Sequence, residues 1–207
     1  MWENAQSEGE MSMNVAEKFT SADLALLPDD GKRYELIAGE LLMSRQPGWH
    51  HQYACVRLSR FLDEWNERTN LGMVNFAPGV IFAEDDDVAP DLVWISHERL
   101  ATALGEAGHL YAAPEIVVEV LSPGTANERR DRQTKLKLYA RRGVQEYWIV
   151  DWMRQQLEVH RREQGTLALA ATLHSQDALE SPLLPGFACR VGTLFVELPP
   201  RKEQTSS

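Results

Sequence analysis

The chain has 207 residues, 43% hydrophobic and 25% charged, the make-up of a soluble globular protein with room for one sizeable core. No apolar run approaches the roughly 20 residues of a membrane span, and the polar, acidic N-terminus lacks the charged-then-apolar pattern of an export signal. The net charge of −10 argues against a protein that coats nucleic acid non-specifically.

Residues 1–18 are polar and unpatterned and read as a disordered tail, and residues 201–207 as a polar C-terminal tail. Between them, 19–200 contains no repeat and no linker and reads as one α/β domain. Ser21–Pro28 suggests a short capped helix closed by proline. Arg33–Ile37 and Glu40–Ser44 form two strands of a tight hairpin around Ala38-Gly39. Ala54, Leu58, Phe61, Leu62 and Trp65 recur at helical spacing, with Arg57, Arg60, Asp63, Glu64 and Glu67 on the other face. Met73–Ala83 reads as a strand with a break at Pro78-Gly79, and Glu84–Asp87 as a turn. Ser96–Gly108 suggests a short helix and loop.

Two segments then stand out. Val88–Ile95 and Pro114–Ser122 each read as an apolar strand carrying one acid, Asp91 and Glu119 respectively. Glu115–Leu121 is nearly continuous in apolar character, the pattern of a central strand covered on both faces. A basic helix follows, in which Arg129, Arg130, Arg132, Lys135, Lys137, Arg141 and Arg142 face only Glu128 and Asp131. Gly143 stops it. Glu146–Asp151 is another buried strand, with Glu146 and Asp151 as structural ion partners. Leu157–His160 and Leu167–Leu173 form a second hairpin around Gln164-Gly165. Leu184–Phe187 is a turn before a last short element. Cys55 and Cys189 lack metal-ligand spacing and read as buried thiols of a reducing cytoplasm.

A carboxylate in an apolar run is costly unless it is paired or bound to a metal. Asp91 and Glu119 on neighbouring strands therefore suggest one divalent site, magnesium or manganese, with the backbone carbonyl of Val120 as a third ligand. Lys135, on the helix after the Glu119 strand, could reach back to the phosphate or the attacking water. Arg129, Arg130 and Arg132 would hold a nucleic-acid backbone. Glu35 and Glu40 alternate with apolar neighbours in a way that fits solvent-facing side chains. Tyr139 is assigned to the core.

Several strings, taken in this order, closely resemble the Uma-two family of restriction-endonuclease-like proteins: Tyr34-Glu-Leu-Ile-Ala-Gly-Glu-Leu41, His51-Gln52, Pro90-Asp91-Leu92, Val118-Glu-Val-Leu-Ser-Pro123, Asp131-x-x-x-Lys135-x-x-x-Tyr139 and Gly143-Val-x-Glu-Tyr-Trp-Ile-Val-Asp151. The resemblance runs from about Tyr34 to the last strands. It implies the PD-(D/E)XK nuclease fold, a central mixed β-sheet flanked by helices, and a magnesium-dependent phosphodiesterase site. Asp91 matches the acid after proline, and Glu119 the second acid. The family also places acidic or histidine residues ahead of the Asp strand, so the resemblance makes Glu40 and His51 accessory candidates near the metal; His51 at a helix start also fits a local hydrogen bond. Leu121 stands where the superfamily lysine usually follows, and Lys135 occupies the helical place to which the family moves it. The expected function is a cytoplasmic magnesium-dependent DNA endonuclease, with no membrane partner. A homodimer would cut both strands, but no segment fixes its interface. Two alternatives stay open: a non-catalytic binding module on a degenerate nuclease fold, and a hydrolase of a small phosphoester.

Overall fold

The structure, a computed structural model, describes residues 18–199 apart from Asp29 and Arg45. Both predicted tails fall almost wholly outside that range. The chain opens with helix α1 (Ser21–Leu24), held by a reciprocal capping pair between Thr20 and Asp23. The hairpin β1 (Arg33–Ile37) and β2 (Glu40–Ser44) turns at Ala38-Gly39, as its sequence predicts. Helix α2 (Trp49–Thr69) follows and buries Ala54, Cys55, Leu58, Leu62 and Trp65 on one stripe. It ends at Asn70, whose left-handed backbone is one that asparagine tolerates.

The predicted strand over 73–83 is two strands in two different sheets: β3 (Gly72–Phe76) and β4 (Val80–Ala83). A Cβ at position 72 would lie 2.3 Å from the Ile95 carbonyl, so the pairing there needs glycine. Of the predicted acidic turn, Glu84-Asp85 is the turn, but Asp86 and Asp87 already belong to strand β5 (Asp86–Val88), and β6 (Leu92–Ser96) starts only after Asp91. Val88–Ile95 is thus split across two sheets. Pro90, with no N–H to give a ladder, sits at the split. Helix α3 (His97–Ala103) leads to β7 (Ile116–Val120), which is buried at every position.

The basic helix has three parts: α4 (Thr125–Arg129), a π-helical turn over Arg130–Lys135, and α5 (Leu136–Arg142). Gly143 ends it at φ 96°, where its N–H reaches back to Tyr139. Strands β8 (Glu146–Asp151), β9 (Gln156–Glu163) and β10 (Thr166–His174) complete the large sheet.

That sheet has six strands in the order β10-β9-β8-β7-β6-β3, with β7 and β8 parallel and the other pairs antiparallel. The smaller sheet runs β2-β1-β5-β4. One face of the large sheet packs Ile116, Val118, Val120, Trp148 and Val150 against α2. The other packs Val117, Leu121, Tyr147 and Ile149 against Leu138 and Tyr139 of α5. Strand alternation therefore turns Glu119 toward α5. Among the described residues, no helix is long and apolar enough to cross a membrane.

Asp86 locks the small sheet to the end of α5. Fully buried, it accepts from the Ala38 N–H at 2.7 Å, Arg141 at 2.7 Å and Arg142 Nε at 2.8 Å. Arg141 and Arg142 are 52% and 26% exposed, so removing Asp86 costs its hydrogen bonds rather than leaving a buried charge bare. Asp86→Ala should lower the free energy of unfolding by about 1–3 kcal/mol in denaturant titration. A loss of only a few tenths of that would mean the arginines are held by solvent alone.

Candidate functional site

Strand β6 pairs with β7 through Leu92 opposite Val118. One residue further along that register lie Asp91 and Glu119. Asp91 Oδ2 accepts the Val120 N–H at 2.8 Å, which ties the end of β6 to β7. The two acids share one cavity of about 690 Å³, whose wall also includes Glu35, His51, Asp131 and Lys135. Glu35, Asp91, Glu119, Asp131 and Lys135 are each 6% exposed or less.

Lys135 projects from the π-helical turn into this group. Its ammonium donates to Glu119 Oε1 at 2.8 Å and to Glu35 Oε1 at 2.9 Å. π turns concentrate at functional sites, and the two buried residues of this one, Asp131 and Lys135, both line the cavity. The Tyr139 hydroxyl donates to the same Glu119 oxygen at 2.7 Å. Tyr139 is thus a core residue, as its sequence suggests, that also fixes a site carboxyl. Burial pushes its phenol well up, with Glu119 adding to the shift, so it stays a donor.

Asp91 is oriented from the opposite side by α2. His51 Nε2 lies 3.1 Å from Asp91 Oδ2, and Cys55 Sγ lies 3.7 Å from His51 Nδ1. Burial pushes the Cys55 thiol up, with Asp91 and Glu119 adding to the effect. A protonated thiol donating to Nδ1 leaves the Nε2 proton for Asp91. The ligating atoms of His51, Cys55 and Asp91 lie within 4.8 Å of one another. That spacing would also suit a borderline metal ion with nitrogen and sulfur ligands, whereas magnesium prefers oxygen. For Asp91, burial works upward, yet His51, the Val120 N–H and Lys135 outweigh it and hold the carboxyl below its ordinary range.

The acids outnumber the cations in this cluster. Burial raises the Glu119 carboxyl to about 8; Lys135 opposes the shift, while Asp91, Asp131 and Glu35 add to it. Burial also raises Asp131, against Lys135 and Arg130. For Lys135 burial works downward, but Glu119, Glu35 and Asp131 more than reverse it. These directions agree once the cluster is taken whole: with three carboxyls around it, the ammonium persists while one of them holds a proton.

A divalent cation fits this donor set. One Asp91 oxygen carries two close contacts, while Oδ1 has only Arg33 at 3.5 Å. Glu119 Oε1 takes both Lys135 and Tyr139, and Oε2 has no hydrogen-bond partner among the described residues. Val120 lines the cavity, with its N–H aimed at Asp91. An excess of buried negative charge with unfilled oxygens on two acids suits a hard cation.

The other predicted site residues divide. Arg130 reaches the cavity, where it bonds Asp131 at 3.4 Å and Ser44 at 3.0 Å. Arg129 is exposed, with Gln133 at 3.3 Å. Arg132 points elsewhere, to Asp151 at 3.0 Å and to Glu158, so its charge is already neutralised by strands β8 and β9. Glu40 is exposed at the hairpin turn and has no contact with the acid–lysine group. Glu35 takes the place considered for it: its Oε1 also accepts the Ala89 N–H at 3.0 Å. Its neighbours alternate, which fits a solvent-facing strand, so the sequence does not single it out as it does Glu119. Glu146 and Asp151 are structural ion partners as expected, meeting Arg161 at 2.9 Å and Arg154 at 2.8 Å.

A sequence profile described as “Putative restriction endonuclease”, the Uma2 family, matches residues 21–192. The chain belongs to the Uma2 family. Its fold matches a solved structure described as a “putative nuclease belonging to DUF820 from Anabaena variabilis ATCC 29413”, with a TM-score of 0.69 and 17% identity over 86% of this chain and 97% of that one. No curated protein matches. The Uma2 assignment supports a nuclease, a hydrolase acting on nucleic acid; the solved structure shares the fold. In this Uma2 chain the lysine beside the second acid comes from the helix, since Leu121 is fully buried in the core.

The raised Glu119 carboxyl sets a pH dependence. Its ordinary value is 4.5 and its folded value about 8, so between them the folded chain holds a proton that the unfolded chain has released. That contribution to stability is present at low pH and lost as pH rises through about 8. Glu119→Gln cannot ionise. The melting temperature of wild type relative to this variant should therefore fall steadily from mildly acidic to mildly alkaline pH. A constant difference would show that Glu119 titrates normally.

Proposed function

We propose that this chain is a magnesium- or manganese-dependent DNA endonuclease acting through Asp91, Glu119 and Lys135. The observation that carries the reading is the Lys135 ammonium, buried and 2.8 Å from Glu119 although it comes from the following helix. Asp91 and Glu119, with the Val120 carbonyl, would hold the cation. When bound, such a cation supplies positive charge at the scissile phosphate and acidifies water.

The chain's own residues account for the rest. His51 and the Val120 N–H fix Asp91 in one orientation. Tyr139 does the same for Glu119. Glu35 shares the ammonium, holding it at the cavity wall rather than free in solvent. Placed there, Lys135 can donate to the attacking water and to the phosphate oxygens as negative charge builds during in-line displacement. Water oxygen bonds to phosphorus as the bond to the leaving oxygen breaks; the attacking water gives up one proton to a carboxylate of the cavity or to solvent, and the leaving oxygen takes one up from solvent. Arg130 and Arg33 line the cavity where the phosphate backbone would enter.

A second reading is favoured by Leu121, which removes the usual lysine: a nucleic-acid-binding module without chemistry. Supercoiled plasmid incubated with purified protein decides between them. Cleavage should require magnesium or manganese and stop in chelator. Lys135→Ala, checked for folding by thermal melting, should cleave at least about 100-fold more slowly yet keep its metal-induced stabilisation. Asp91→Asn should lose both. Wild type that is stabilised by metal but cuts no DNA form would favour the module.

A further inference from the structure

His51 and Cys55 stand one turn apart on α2 and so share a face of that helix. Both are buried, His51 at 6% exposure and Cys55 fully. Asp91, just ahead of β6, meets them there. His51 Nε2 lies 3.1 Å from Asp91 Oδ2, and Cys55 Sγ lies 3.7 Å from His51 Nδ1. One ligand atom from each of the three residues falls within 4.8 Å of the others. Donor atoms around a tetrahedral zinc ion, with bonds of about 2.0–2.3 Å, lie roughly 3.3–3.8 Å apart. Small side-chain rotations would therefore close this trio on one ion. His51 and Asp91 line the cavity, which gives an ion a way in, while Cys55 closes the trio on the protein side.

A nitrogen, a sulfur and a carboxylate oxygen make a donor set unlike that of the acid–lysine group. Carboxylate oxygens suit magnesium; imidazole and thiolate suit zinc and its borderline neighbours such as cobalt. Three protein ligands leave a fourth position for water. A thiol is a weak hydrogen-bond donor, so as a brace for His51 the sulfur at 3.7 Å adds little; as a thiolate it would set the metal preference. The negative charge that Asp91 and Glu119 exert on the thiol also draws in a cation, and a cation at the sulfur reverses their effect on it. On binding, the Cys55 S–H bond breaks, its electron pair goes to the ion and its proton to solvent. The ion replaces the contact of His51 with Asp91, whose Oδ2 keeps the Val120 N–H at 2.8 Å.

We propose that His51, Cys55 and Asp91 form a site for a zinc-class ion that shares Asp91 with the magnesium site, so that the two ions compete. With Asp91 drawn to His51 and Cys55, a second dication beside Glu119 meets the charge of the first. A zinc-class ion is then an inhibitor of the chemistry assigned to the acid pair. The competition rests on the reading that Asp91 holds magnesium; the zinc-class site does not.

Cobalt(II) reports on both ligands and geometry. Added to the reduced full chain, it should give a sulfur-to-cobalt charge-transfer band in the near ultraviolet and the strong visible absorption of a tetrahedral ion, and zinc should bleach both. Cys55→Ala, checked for folding by thermal melting, should lose the charge-transfer band; Cys55→Ser, close to cysteine in size, makes the same test should alanine not fold. Cys189→Ala, which alters the other cysteine, should keep the band. His51→Ala should weaken cobalt binding at least about tenfold, the smallest loss expected even for a group that only supports a ligand. Glu119→Gln leaves all three ligands in place and should keep the bands. A cobalt spectrum with no thiolate band, a band that survives in Cys55→Ala and Cys55→Ser, or cobalt binding that is lost in Glu119→Gln but not in His51→Ala, would overturn the site. Manganese binding, read from the paramagnetic resonance of the free ion, should weaken roughly tenfold or more once zinc has filled the site, and change little in Cys55→Ala at the same zinc concentration. Manganese bound equally with and without zinc would overturn the competition. Intact cobalt bands with no manganese binding at all would sink the magnesium site of the nuclease reading, and the competition with it, and leave the zinc-class site standing.

Discussion

The site turns on one buried ammonium set among more carboxyls than it can neutralise. Lys135 bonds Glu119 and Glu35 at 2.8 and 2.9 Å, with Asp91 and Asp131 close enough to perturb the same group. Burying an unpaired charge costs several kcal/mol, so each acid needs a partner and the surrounding elements supply them. His51 and the Val120 N–H serve Asp91, Tyr139 serves Glu119, the Ala89 N–H serves Glu35, and Arg130 serves Asp131. These partners come from α2, the end of β7, the segment between β5 and β6, and the three-part basic helix. The site is therefore where both sheets and two helices converge, and no single element could be moved without leaving a carboxyl bare.

This arrangement gives the cavity two properties that a surface acidic cluster lacks. The positions of the oxygens are fixed before anything binds, because every carboxyl has at least one rigid donor. The cluster also keeps a proton near neutral pH, because burial and neighbouring acids raise Glu119 to about 8. A proton held there is what a divalent cation would displace. Stability and the proposed chemistry draw on the same charge imbalance, in keeping with strongly shifted groups gathering at functional sites.

Asp91, Glu119 and Lys135 were legible in the sequence because an acid inside an apolar run is costly and so marks itself. The same logic reached Glu35 but stopped short. Its alternating neighbours fit a solvent-facing strand, and only the sheet order β2-β1-β5-β4 puts β1 inside, with Glu35, Leu36 and Ile37 all buried. Val88–Ile95 reads as one strand since all its residues but Asp91 are apolar; its division depends on which sheet each half joins, a non-local matter. Arg132 looked like a nucleic-acid contact because its partners, Asp151 and Glu158, lie on strands that the chain reaches only later. The π-helical turn has no proline or glycine to announce it. The stack of His50 on Trp152, residues far apart in the chain, left no local trace either.

If the buried acids hold a proton, a divalent cation that binds there would have to replace it. Calorimetric titration of manganese into the protein at neutral pH, repeated in buffers of different ionisation enthalpy, counts the protons released on binding. The account predicts release approaching one proton, falling away as the pH is raised past about 8 and absent in Glu119→Gln. Manganese binding with no proton released at neutral pH, or with the same release in Glu119→Gln, would contradict it.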